Sequence, residues 1–188
     1  MEPLVTLGIL AGGRATRLGG RDKAWLMREG VPQVVRIARR FGEECRDTLV
    51  SANTGVERFA GVQLRAVPDR TENIGPLGGI DALAAACATP WLFTLPVDFV
   101  DANDRLLRTL MQAGGDGAVA EDDDGLQPLV ALYRLAALRD MVASALRDRD
   151  YSVQAMQQRW PLRRVRFAGL RFGNLNTPAD LLAAGMNP

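Results

Sequence analysis

An α/β fold with a mostly parallel central sheet is what this 188-residue chain predicts, and two observations carry the prediction. Short apolar runs alternate with longer segments of helical periodicity, the pattern of βαβ units whose strands are covered on both faces. The composition, 47% hydrophobic and 24% charged, is enough to bury one substantial core, and the length argues for one domain over residues 1–188 rather than two.

The elements follow in order. Val5–Leu10 reads as a strand running into a glycine-rich stretch. Pro32–Phe41 sets Val34, Val35, Ile37, Ala38 and Phe41 on one helical face with arginines on the other. Thr48–Ser51 and Gln63–Val67 are strands, Leu77–Cys87 an Ala-rich helix, and Trp91–Leu95 another strand. Asp104–Ala113 and Ala136–Leu146 read as amphipathic helices, with strands at Gly117–Glu121, Leu129–Tyr133 and Arg163–Phe167. A short last helix begins near Pro178, with Thr177 as N-cap and Pro178 as the first helical residue. No repeat, low-complexity tract or linker interrupts the series.

Bulk properties remove several function classes. The net charge is +1, so neither nucleic acid nor an anionic membrane is expected as a partner, and any anion specificity must be local. No run approaches the roughly 18 apolar residues of a membrane helix, and Met1-Glu2-Pro3 does not open a signal sequence, so a soluble, cytoplasmic protein is expected. Cys45 and Cys87 stand in no metal-ligand spacing and are expected to be reduced, packed thiols. Histidine is absent, which excludes Ser-His-Asp, Cys-His and His-ligated zinc mechanisms together. Carboxylates, cations, hydroxyls, backbone donors and an oxygen-loving metal such as Mg²⁺ remain.

The most informative stretch is Leu10-Ala11-Gly12-Gly13-Arg14-Ala15-Thr16-Arg17-Leu18-Gly19-Gly20-Arg21-Asp22-Lys23. Glycines let backbone N–H groups approach an anion closely, and Arg14, Arg17, Arg21 and Lys23 add charge-assisted donors, so the loop reads as a phosphate cradle. It is not a Walker loop, because Lys23 follows Asp22 and precedes Ala24 rather than standing in Gly-Lys-Ser/Thr. Nor is it a dinucleotide fingerprint, because its glycines come as pairs separated by Arg14 to Leu18.

Ligands of open α/β sheets bind beyond the carboxyl ends of the strands. The segments that follow those ends here are Ala11 to Lys23, Ala52-Asn53, Pro68-Asp69-Arg70 and Pro96-Val97-Asp98. Asp98 stands at the mouth of an apolar strand and too far before the next helix to cap it; a Mg²⁺ ion bridging its carboxylate and phosphate oxygens is the economical reading. Asp69 precedes a turn, Asn73-Ile74-Gly75-Pro76, into a helix whose first turn carries Gly78-Gly79, small residues that would admit a base or ribose. The acidic run Glu121-Asp122-Asp123-Asp124-Gly125 reads as a solvated turn, not a metal site.

These residues resemble the molybdenum cofactor guanylyltransferase family. The opening Leu-Ala-Gly-Gly-x-x-x-Arg-Leu-Gly-Gly-x-Asp-Lys is followed, in family order, by Gly75-Pro76-Leu77-Gly78-Gly79, Leu95-Pro96-Val97-Asp98, Gln127-Pro128-Leu129-Val130-Ala131-Leu132-Tyr133 and Asn174-Leu175-Asn176-Thr177-Pro178. The resemblance implies a Rossmann-like, three-layer nucleotidyltransferase fold, its N-terminal part binding the nucleotide and its C-terminal part molybdopterin. It implies transfer of GMP from GTP to molybdopterin, with Mg²⁺ and release of pyrophosphate, and molybdoenzymes or their chaperones as receivers of the product. By the same pattern Leu10, Ala11, Gly12 and Gly13 would contact the nucleotide, Arg17 and Lys23 its phosphates, and Asp69 the nucleoside, while Asp98 would hold the metal. A further nucleotide contact falls at Ser51, where some members carry Asn; Asn53 nearby could substitute. Asn174 and Asn176 match the segment associated with the pterin, and Arg159, Arg163, Arg164 and Arg166 are basic enough to meet its phosphate, although a solvated strand face accounts for at least half of them.

Transfer by this route needs no enzyme base, because a phosphate monoester is already anionic near neutral pH; this agrees with a chain lacking histidine. Two rivals stay open at this point. One is a sister transferase using CTP or another NTP on molybdopterin or a sugar phosphate, whose opening more often resembles Leu-Ala-Ala-Gly. The other is a non-catalytic module that senses GTP or delivers the cofactor, which could dispense with Asp98. A nicotinamide-dependent dehydrogenase fails on glycine spacing.

Overall fold

A computed structural model describes residues 4–12, 22–100, 105–173, 175 and 178–185. In chain order the elements are β1 (Val5–Leu10), a 3-10 turn (Lys23–Trp25), β2 (Met27–Arg28), β3 (Val31–Pro32), α1 (Gln33–Phe41), β4 (Asp47–Ser51) and α2 (Val56–Gly61). They continue with β5 (Arg65–Val67), α3 (Pro76–Ala86), β6 (Trp91–Pro96), α4 (Leu106–Gln112), β7 (Gly117–Asp122) and β8 (Gly125–Arg134). Last come α5 (Leu135–Asp148), α6 (Val153–Gln158), β9 (Arg163–Arg166) and α7 (Pro178–Ala183).

Seven strands form one sheet in the order β5-β4-β1-β6-β8-β7-β9, and β2 pairs with β3 in a separate small hairpin. Pairing is parallel from β5 through β6 and between β7 and β9, while β8 runs against both of its neighbours, so the sheet is mostly parallel with one reversed strand.

Alternation along the strands divides the core into two layers, because successive side chains point to opposite faces. Leu7, Ile9, Val50, Phe93, Leu95 and Leu132 pack beneath α1, α2 and α4. There the Phe41 ring meets Phe93 edge-on at 5.2 Å. Leu49, Leu92, Val119, Ala131 and Tyr133 pack on the other face, against α3, α5 and α6. The fully buried Tyr133 hydroxyl accepts a hydrogen bond from Gln157 Nε2 at 2.6 Å. Helices on both faces of the sheet make the three-layer Rossmann-like arrangement.

The departures from the sequence reading have local causes. α2 carries one buried residue, Phe59, too few for a visible period. α6 is equally short, but it is capped by Ser152, whose Oγ accepts from the Ala155 N–H at 3.2 Å. β5 starts at Arg65 rather than Gln63 because Gln63 has φ 61 and its N–H closes the end of α2 on Ala60 O. β8 starts four residues earlier than expected, at Gly125, because Gly125, Leu126 and Gln127 pair with Asp122, Glu121 and Ala120 across a bulge at Val119/Ala120.

Candidate active site

The carboxyl ends of β1, β4 and β6 meet at a cavity of about 240 Å³, bounded by the first turn of α3 and by the turn that carries Lys23. Strand register sets Leu10 beside both Ser51 and Pro96. Main-chain bonds continue past the strand ends: Ala11 N–H donates to Ser51 O at 3.0 Å, Val97 N–H to Leu10 O at 3.0 Å, and Ala52 N–H to Val67 O at 3.1 Å. The mouth is thus held by backbone, which leaves side chains to face the cavity.

On one side of the cavity Asp98 Oδ2 accepts from Lys23 Nζ at 3.0 Å, with side chains 20% and 23% exposed. Lys23 is presented by a 3-10 turn whose N-cap is Asp22, its Oδ1 accepting the Ala24 N–H at 3.0 Å. Trp25 anchors that turn against Phe59, ring centres 5.0 Å apart, with the Arg58 guanidinium over the indole at 4.2 Å. Buried Gln33 ties the two halves of the pair together: its N–H donates to Leu26 O at 2.9 Å and its Nε2 to Phe99 O at 2.6 Å. A partly solvated ion pair of this kind is worth on the order of 1 kcal/mol or less, so exchanging it for ligand contacts costs little.

On the opposite side Asp69 Oδ1 accepts from Ser51 Oγ at 3.3 Å and Oδ2 from Asn53 Nδ2 at 2.9 Å, while the Asp69 N–H donates to Asn53 Oδ1 at 2.8 Å. Ser51 is buried and lines the cavity with Asp69; Asn53 is exposed, stands behind Asp69 and is not in the lining. The α3 entry is set by Gly75, whose φ 65 and ψ −153 suit glycine alone, followed by Pro76 as the first helical residue. A Cβ on Gly79 would lie 2.5 Å from Ser51 Oγ and 2.9 Å from Leu10 Cδ2, and one on Gly78 3.0 Å from Asp69 Oδ2. The glycine pair therefore brings the helix against the site's own side chains. Gly12 differs: among the described residues the atoms nearest to a Cβ there are Ser51 Oγ and O at 3.8 and 4.0 Å, an ordinary contact, and Gly12 lines the cavity.

Of the residues expected in the site, Leu10, Ala11, Gly12, Lys23, Ser51, Asp69 and Asp98 line this one cavity. Gly13, Arg14, Arg17, Arg21, Asn174, Asn176 and Thr177 lie outside the described residues. Asp22, Pro76 and Leu129 also line it without having been singled out. Asp22 had a usable signal, an N-capping residue directly before Lys23, whereas Leu129 reads simply as strand. Arg159 and Arg166 are committed to carboxylates, Arg159 to Asp148 and Asp150, and Arg166 to Glu121 and Asp123 at 2.9 Å. Arg163 and Arg164 are exposed on β9, and none of the four arginines lines the cavity.

The acidic run corrects the sequence reading. Only Asp123 and Asp124 form the turn between β7 and β8; Glu121 and Asp122 belong to β7, and Asp122 is fully buried. Burial alone would raise the Asp122 carboxyl, but hydrogen bonds from the Phe172 N–H, the Gln127 side chain and the Asp124 and Gly125 N–H groups outweigh it and hold the group below the usual carboxylate range. Both cysteines are free and buried, and burial, reinforced by the Glu44 charge, pushes Cys45 up to about 12.

No cluster of three or more His, Cys, Asp or Glu side chains that could hold a metal occurs among the described residues. Asp98 offers a hard carboxylate at the cavity, so a cation there would complete its shell with phosphate oxygens and water, which is the habit of Mg²⁺. The donor set fits that ion. No helix among the described residues is long and apolar enough to cross a membrane.

Residues 7–161 match the family model described as MobA-like NTP transferase domain. Over 185 residues the chain is 32% identical to a molybdenum cofactor guanylyltransferase from Yersinia pseudotuberculosis, covering 96% of this chain and 94% of that one. Molybdopterin-guanine dinucleotide biosynthesis protein A from Archaeoglobus fulgidus superposes with a TM-score of 0.74 over 96% of each chain at 22% identity. A 2-C-methyl-D-erythritol 4-phosphate cytidylyltransferase from Thermus thermophilus does so with a TM-score of 0.69 over 95% of this chain and 96% of that one, at 15% identity. At such identities the two structures establish the fold, and the fold alone does not choose the nucleotide. The family match and the identity over nearly the whole chain do more: this protein is a nucleotidyltransferase and belongs to the MobA-like NTP transferase family.

Proposed function

We propose that this enzyme transfers the GMP part of GTP to the terminal phosphate of molybdopterin, forming the guanine dinucleotide and releasing pyrophosphate. The observation that carries the reading is the meeting of Lys23 and Asp98 with Ser51 and Asp69 around one cavity at the strand ends, in a chain 32% identical to a guanylyltransferase. A charged pair on one side and the polar pair Ser51 and Asp69 on the other suit the two ends of an NTP.

A pterin phosphate oxygen attacks the α-phosphorus in line, a new P–O bond forms, and the bond to the bridging α–β oxygen breaks, its electron pair leaving with pyrophosphate. The nucleophile is already an anion, so no residue has to remove a proton. Lys23 stabilises the leaving pyrophosphate, assisted by Arg17 of the same glycine-rich stretch, and the backbone N–H of Gly12, which lines the cavity, approaches the phosphates. Asp98 would hold Mg²⁺, which when bound supplies charge neutralisation on the phosphates. Ser51 and Asp69 receive the nucleoside, with Asn53 fixing the Asp69 carboxylate from behind. Asn174 and Asn176 serve the pterin end.

The test is incubation with molybdopterin, Mg²⁺ and each NTP in turn, following pyrophosphate and dinucleotide. Dinucleotide from GTP alone is expected. Product from CTP instead would assign the enzyme to the sister activity, and GTP binding without turnover would make it a binding module.

A further inference from the structure

The acidic run at the β7–β8 turn is unused by the chemistry above, yet each of its four acids engages the returning C-terminal segment. Glu121 accepts from Arg166 Nη1 at 2.9 Å, and its carbonyl accepts the Phe167 N–H at 2.7 Å. Asp123 accepts from Arg166 Nη2 at 2.9 Å and from the Gly169 N–H at 3.2 Å, and its own N–H donates to Leu170 O at 2.9 Å. Asp124 stands 3.5 Å from Arg171 Nε. Asp122 lies at the centre: Oδ2 accepts the Phe172 N–H at 2.9 Å, and Oδ1 accepts from Gln127 Nε2 and the Asp124 N–H, each at 2.9 Å.

Phe172 leads back to the active site. Its carbonyl accepts the Val100 N–H at 2.9 Å, two residues beyond Asp98, and its ring packs between Phe99 and Phe167 at 5.4 and 5.6 Å. Gly173, at φ 77, sits against Val100 so closely that a Cβ would lie 3.0 Å from the Val100 Cβ. Asn174 follows directly in the sequence.

From this continuous path we infer that Asp122 is a positioning residue, whose buried carboxylate sets the C-terminal segment against the Asp98 loop and so governs binding of the second substrate. An ionised carboxylate suits the task because it only accepts, and the donors around it are backbone or amide N–H groups. Asparagine has the same shape, but its amide NH₂ would turn a donor toward one of them. The assignment of the second substrate rests on the function proposed above; the mechanical part does not.

The experiment compares the wild type with Asp122→Asn and with Gly173→Ala, which attacks the same junction from the other end. Hydrogen exchange should accelerate about tenfold or more in residues 166–173 and 98–100, with Val5–Leu10 and Trp91–Pro96 unchanged. In turnover, the KM for molybdopterin should rise about tenfold or more, while the directly measured Kd for GTP without Mg²⁺, which does not call on Asp98 as a metal ligand, stays within about twofold. Unchanged exchange in 166–173 overturns the inference, and so does an equal loss of GTP and pterin affinity, which would mark general destabilisation. If the wild type makes no dinucleotide from GTP, the functional proposal fails while the exchange comparison still decides the role of Asp122.

Discussion

Asp98 and Asp122 stand at the same edge of one sheet, at the ends of strands that run the same way, and they do opposite work. Asp98 is 20% exposed, faces the cavity and holds Lys23 on one oxygen. Asp122 is fully buried, and N–H donors from the β7–β8 turn, from Gln127 of β8 and from the C-terminal segment occupy its oxygens. The amino acid is the same; what differs is how many donors the fold has already aimed at it. A carboxylate left with unspent acceptor capacity beside a cavity is available to a ligand, whereas one saturated by the chain's own N–H groups becomes a joint. The contrast extends to the surrounding backbone: Gly12 lines the cavity, whereas Gly173 sits too close to Val100 to admit a Cβ and the Phe172 N–H is spent on Asp122.

The largest expected effect breaks the comparison at its reactive end. Asp98→Ala should lower kcat/KM for transfer by about 10³-fold or more while thermal unfolding stays close to wild type, because the side chain is partly solvated. Near-normal turnover would show that Asp98 is as structural as Asp122.

Gly79→Ala tests whether the cavity wall is as closely fitted as the clasp. The added Cβ would fall 2.5 Å from Ser51 Oγ, so Ser51 and Leu10 must move. A loss of roughly 1–3 kcal/mol in stability is expected from overpacking, with a rise of about tenfold in the KM for GTP. Denaturant titration and steady-state kinetics would read the two effects, and a KM unchanged alongside lost stability would detach α3 from nucleotide binding.

The smallest effect sharpens the rule that burial without donors disables an ionisable group. Cys45 is raised from 9.0 to about 12 in the folded protein, so the unfolded chain gives up its proton first. Its contribution to stability should be fully present below about pH 9 and should be lost as the pH rises toward about 12. Cys45→Ala should flatten that alkaline limb in pH-dependent unfolding, and an unaltered slope would reject the assignment. Below pH 9 the native thiol should also resist alkylation.

Much of the site was legible because strand ends announce themselves. Val5–Leu10, Thr48–Ser51 and Trp91–Leu95 are apolar runs buried on both faces, and the polar residues just after them had to gather at one edge of a parallel sheet. The acidic run defeated the same reasoning. Four consecutive acids ending in glycine look alike in a sequence, and the donors that separate Asp122 from Asp123 arrive from Phe172 and Gly169, some fifty residues later. Arg166 of β9 was ambiguous for the same reason, since its partners Glu121 and Asp123 lie on the neighbouring strand and its turn, over forty residues earlier.

Local order, then, was the sequence's own doing: hydrophobic period named the α/β class, the glycine and lysine spacing picked out the stretch after β1 as a candidate phosphate cradle, and the lack of histidine narrowed the chemistry. Which carboxylate stays available and which is consumed was decided only by the tertiary structure, because a hydrogen-bond acceptor's role depends on donors brought to it by distant segments.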